Sequence, residues 1–159
     1  MDQLRESILR APVALAVLLV IAAGLGIYHE AASFGFLNWD DDVYLYGNPI
    51  VVKGLTAEGW RYAWSIGLPP YYMPLTWLSF MLDVELFGVD PGASHLVNVA
   101  LHLATSSLLY LLLVRITQKP WPSLLAALLF VVHPLHVEAV AWISQRKEML
   151  AALFAMISL

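Results

Sequence analysis

Long apolar runs divide the chain. The first, Ala11 to Tyr28, contains no charged residue. The second, Leu96 to Val114, is interrupted by His102. The third runs from Trp121 to about Ala141 and carries His133, His136 and Glu138 in its last third. A fourth begins at Met149 and reaches Leu159. A helix needs about 20 apolar residues to cross a hydrocarbon core of ~30 Å. The pattern therefore predicts an all-α, polytopic membrane helix bundle, with spans at about 11–28, 96–114 and 121–141 and a truncated one at 149–159. A half-span does not cross a bilayer, so the sequence is expected to be the N-terminal piece of a longer protein.

Between the first two spans lies an outer loop of about residues 29–94. Within it, Tyr71 to Phe87 is apolar again, with Asp83 and Glu85 near its end. Pro69, Pro70 and Pro74 break its start, and a span here would invert everything downstream. A helix lying along the interface, buried against protein or headgroups, is expected instead.

Composition agrees. Of 159 residues, 60% are hydrophobic and 13% charged, against about a quarter charged in soluble domains. The net charge of −4 gives no broad basic surface for nucleic acid. There is no cysteine, hence no disulfide, thiol nucleophile or thiolate metal site. Arg5 and Arg10 before the first run resemble a signal peptide, but the run is too long and no small-residue cleavage site follows Tyr28, so it is read as an uncleaved anchor. Arg5, Arg10, Arg115 and Lys119 face the cytoplasm if the N-terminus is inside. Arg146 and Lys147 then fall outside, against the rule.

That threading collects the unusual polar residues on one non-cytoplasmic surface. Asp40, Asp41 and Asp42 follow the first span. Acidic residues beside an apolar span cost solvation energy unless they meet water, a cation or a substrate. His95, Asn98, His102 and Ser106 are spaced by three, four and four and form one stripe of a helix. Such a stripe faces protein or a wet cavity, because polar groups in lipid go unsatisfied. His133-Pro134 and His136-Val137-Glu138 sit where a proline opens the last turn. Each feature has a plainer reading: a solvated acidic loop or helix cap, hydrogen bonding between helices, an interfacial arginine. His133, His136 and Glu138 also have the ligand types for a divalent metal, without the spacing of a catalytic zinc site.

The residues in this order resemble a known family. The stretches are Asn38-Trp39-Asp40-Asp41 with Tyr44 and Asn48-Pro49; Tyr72-Met73-Pro74-Leu75-Thr76; His95-Leu96-Val97-Asn98 with Leu101-His102; and His133-Pro134-Leu135-His136-Val137-Glu138-Ala139-Val140 running to Arg146 and Glu148. The chain resembles the N-terminal part of the membrane O-mannosyltransferase-like proteins with C-terminal tetratricopeptide repeats, in the GT-C glycosyltransferase superfamily. The resemblance covers roughly Phe36 to Leu159; the repeats, expected downstream, are absent from the sequence.

The resemblance implies sugar transfer from a polyprenyl-phosphate carrier to a protein or glycan acceptor on the outer or lumenal face. It implies Asp40 as the base, by match to an Asp-Asp/Glu-x-x-Tyr pattern, with Asp41 as its partner and Asp42 as a spacer. Arg146 is expected to meet the lipid phosphate. His95 and Asn98 are expected to bind substrate, and His133 and His136 to donate to phosphate or sugar hydroxyls. Glu138 is expected to hold a histidine tautomer or pair with Arg146. Two other functions fit parts of the sequence. One is a non-catalytic membrane anchor for partner-binding repeats. The other is a metal or proton transporter, which the lack of polar residues between Ala11 and Tyr28 disfavours. The absence of Asn-x-Ser/Thr acceptors favours a bacterial inner membrane over the endoplasmic reticulum.

Overall fold

The computed structural model describes residues 2–66 and 71–159. Pro69 and Pro70, and the side chains of Arg5 and Arg10, lie outside what it describes. Among the described residues all regular structure is helical: α1 Asp2–Tyr28, α2 Ala57–Ala63, α3 Pro74–Phe87, α4 Pro91–Thr117, α5 Pro120–Val131, α6 Val137–Ala141 and α7 Arg146–Ser158, joined by short 3₁₀ turns and one π turn, Asp42–Tyr46.

Two stretches are long and apolar enough to cross a membrane, Pro12–Ser33 and Pro91–Thr117. The second starts where Pro91 occupies the first turn and the Asp90 carboxylate accepts the Ala93 N–H at 2.8 Å. It ends on Gln118, whose left-handed backbone (φ 56°) closes the last turn.

The expected third span is not one straight helix. α5 and the 134–141 segment are bent by 47° around His133-Pro134. Pro134 cannot continue the ladder, and the Leu135 N–H turns instead to His133 Nδ1 at 3.2 Å. The carbonyl of Val131 thereby loses its normal partner four residues on. His102, on the neighbouring α4, fills the gap with Nε2 at 3.2 Å from that oxygen. The histidine inside span two thus answers the break in span three. α7 has 13 residues, about 20 Å of helix and short of the ~30 Å hydrocarbon core.

The buried residues fall into two clusters. One lies between the long helices and includes Val20, Val99, Leu103, Tyr110, Ala127 and Val131. The outward side of α1 leaves Leu15, Leu18 and Leu25 exposed, as a lipid-facing surface requires. The other cluster belongs to the loop between the spans: Tyr44, Leu45, Val51, Trp77, Phe80 and Met81, with Ile143 from the far end of the chain. It includes the helix expected at Tyr71–Phe87, which begins at Pro74 and is buried against protein. Burying each of Trp77, Phe80 and Met81 contributes roughly 1.5–3 kcal/mol.

The loop is tied to the bundle by one guanidinium. Arg146 is fully buried, with every N–H spent. Nε donates to Asn98 Oδ1, Nη1 to Ser79 Oγ at 2.7 Å and Asp83 Oδ1 at 3.4 Å, and Nη2 to Asp83 Oδ2 at 2.8 Å and the Ser94 carbonyl at 2.9 Å. These partners come from α3 and α4. Asp83→Ala leaves that charge buried and unpaired and is expected to destabilise the fold by about 3–5 kcal/mol, read as a lowered melting temperature in detergent.

Candidate functional site

The aspartates after span one take three different roles. Asp41 is fully buried. Its Oδ2 accepts the Leu37 N–H at 2.9 Å, and its Oδ1 accepts both the N–H of Ser144, at 3.1 Å, and the Ser144 hydroxyl. Asp42 opens the π turn, and among the described residues its carboxylate accepts only its neighbour's N–H, from Val43 at 2.7 Å. The half-buried Asp40 carboxylate has no hydrogen-bond donor among the described residues, while its backbone carbonyl accepts the Tyr44 N–H at 2.9 Å. The charge of Asp41 is therefore stabilised inside the protein, and that of Asp40 is left available.

Tyr44 lies one turn along from Asp40, buried edge-on against Trp77 at 5.4 Å and Tyr71 at 6.3 Å between centroids. Its phenol is pushed up to about 12, first by burial, then by the Asp40 charge and by Tyr71. Lys147 stands over the Tyr44 ring, with Nζ 5.8 Å from its centroid. Lys147 had no role assigned from the sequence, where only its outward position stood out. The grouping of Asp40, Asp41, Tyr44, Ser144 and Lys147 joins the first loop to the segment that starts α7.

Of the residues expected to bind substrate, Arg146, Asn98 and His95 make contacts inside the protein. Arg146 was expected to meet phosphate; no N–H remains for a ligand, because burial in an apolar setting demands internal partners. Asn98 accepts from Arg146 and donates to the Trp142 carbonyl at 3.0 Å. His95 is buried, with Nε2 at 3.2 Å from the Gly35 carbonyl and its ring edge-on to Phe34. His95 and Asn98 thus fix the strand of chain entering the aspartates and the turn leaving α6.

His133 caps the turn after the bend, and its ring lies 5.9 Å from that of His136. His136 in turn lies 5.5 Å from His102 and 4.4 Å from Phe130. Glu138 is exposed and pairs neither with Arg146 nor with a histidine among the described residues. No three His, Asp or Glu side chains converge there as a metal-binding group among the described residues. The sharpest sequence motif is therefore the bend and its packing, some way along the chain from the free carboxylate.

Comparison with known proteins points in one direction. The chain is 41% identical to mouse "Protein O-mannosyl-transferase TMTC3" over 83 residues, 52% of this chain and 9% of that protein. It is 38% identical to mouse "Protein O-mannosyl-transferase TMTC1" over 128 residues, 74% of this chain and 14% of the relative. It is 42% identical to the Xenopus laevis "Protein O-mannosyl-transferase tmtc2" over 88 residues, 55% of this chain and 10% of the relative. The chain is similar to part of these relatives. It spans a small part of the length of these relatives. No family model matches, and no solved structure matches.

The raised phenol makes a pH prediction. Between pH 10 and 12 the folded chain keeps a proton on Tyr44 that the unfolded chain has released. The folded state binds more protons there, so stability falls as pH rises through that window. Tyr44→Phe is expected to remove this component, seen by comparing tyrosinate absorbance and unfolding midpoints of the two proteins.

Proposed function

We propose that this chain is part of a GT-C-type glycosyltransferase that moves a sugar, mannose by analogy with its relatives, from a polyprenyl-phosphate carrier to a protein acceptor. The transfer takes place at the exoplasmic face of a multi-pass membrane domain, with the N-terminus cytoplasmic and tetratricopeptide repeats further along the full-length protein. The inner membrane of a bacterium, with an undecaprenyl carrier, suits the lack of glycosylation acceptors.

The observation that carries this reading is the split between the neighbouring carboxylates. A base for an acceptor hydroxyl needs an uncommitted carboxylate held in place. Asp41 is locked by Leu37 and Ser144 and so fixes the backbone of Asp40, whose carboxylate meets no protein donor among the described residues. Asp40 takes the acceptor proton as the hydroxyl oxygen bonds to the anomeric carbon. Two exposed aromatics, Trp39 next to Asp40 in the chain and Tyr71 edge-on to Tyr44, offer apolar faces for a sugar ring or a prenyl chain. The buried polar stripe of α4 serves this arrangement by bracing both segments that meet at Asp41.

Asp40→Asn in the full-length protein is expected to lower sugar transfer from lipid carrier to acceptor by about 100-fold or more with folding retained, since general-base help is typically worth ~10²–10⁴. Near-normal turnover would remove Asp40 as the base.

A further inference from the structure

With Arg146 enclosed, the proposed reaction lacks a cation for its leaving group, and the structure holds one other nearby. We propose that Lys147, held over the Tyr44 ring, binds the phosphate of the polyprenyl-phosphate donor. This inference rests on the function proposed above.

Lys147 is half-buried. Its ammonium has three N–H donors. Its Nζ donates to the Ser144 carbonyl at 3.2 Å and to Gln145 Oε1 at 3.0 Å, both neutral acceptors. Neither cancels its charge. The ion pairs among the described residues are Lys53 with Glu58 and Arg146 with Asp83, so Lys147 has no carboxylate partner there. The Tyr44 ring supplies a weak cation–π contact at 5.8 Å. A half-buried cation steadied by neutral oxygens, with a donor to spare, is arranged to take an anion.

The placement fits a displacement. Ser144 links both charges, because its N–H and hydroxyl bind Asp41 while its carbonyl holds Lys147. Asp40 receives the proton of the acceptor O–H. The acceptor oxygen bonds to the anomeric carbon, and the bond from that carbon to the phosphate oxygen breaks. The electron pair stays on the phosphate, which gains one negative charge as the proton arrives on Asp40. Lys147 stabilises that charge as it develops, which is where a cation lowers the barrier.

The test measures lipid binding apart from transfer, using the full-length protein in nanodiscs with polyprenyl monophosphate as the probe. Lys147→Gln is expected to weaken binding about tenfold, the value of one charge-assisted hydrogen bond, and to lower kcat as well as raise the donor KM, because the phosphate gains charge as the bond breaks. Lys147→Arg is expected to restore most of the affinity, and phosphatidylglycerol in excess is expected not to compete. Wild-type affinity in folded Lys147→Gln overturns the assignment, as does equal competition by phosphatidylglycerol, which would make the site a reader of bilayer headgroups. If Lys147→Gln binds normally while Asp40→Asn abolishes transfer, only the lysine assignment falls. If the wild-type protein neither transfers sugar nor binds polyprenyl monophosphate, both readings fall.

Discussion

A charged guanidinium with no access to water is the constraint around which the loop between the two long helices and the start of α7 are arranged. Desolvating it is costly, and only a complete set of acceptors repays the cost. Arg146 finds them on two consecutive helices, both distant from it in sequence, at Ser79 and Asp83 on one and Ser94 and Asn98 on the other. The start of α7 is thereby clamped against α3 and α4. The turn before it is fixed as well, and that turn supplies the donors for Asp41. Remove the clamp and the carboxylate beside the free aspartate loses its anchor.

The two aspartates show how one short acidic run yields unlike groups. Adjacent residues in a turn point in different directions, so one side chain enters the protein as its neighbour stays at the surface. Asp41 becomes part of the framework through bonds to Leu37 and Ser144. Asp40 keeps its charge for something else. The same divergence separates Arg146 from Lys147 at the start of α7, where successive residues are about 100° apart around the helix axis.

The helical character and the apolar spans were legible because they rest on local composition. The bend between α5 and α6 was half visible: Pro134 announced a break, but the continuous apolar run Trp121–Ala141 hid its angle. The roles of the polar residues were not legible, because a polar group in an apolar setting has two solutions, an outside ligand or an inside partner. Nothing local separates them. Asp83 lies 63 residues from Arg146, and Asp41 lies 103 residues from Ser144. Asp83 read as the polar end of a surface helix, and Ser144 drew no notice. One clue was available: an outward arginine that breaks the charge rule, with an acidic residue inside an apolar stretch, describes a buried pair as well as a ligand site.

The bend at His133-Pro134 binds two helices into a shared inheritance. The proline leaves the Val131 oxygen without its ladder partner, and the imidazole of His102 supplies the missing proton. Neither change is neutral alone. A straightened helix would leave the imidazole without its acceptor, and an apolar residue at 102 would strand a carbonyl in hydrocarbon. Changes at the two positions, 32 residues apart in the chain, are therefore energetically coupled, and their effects on stability do not add.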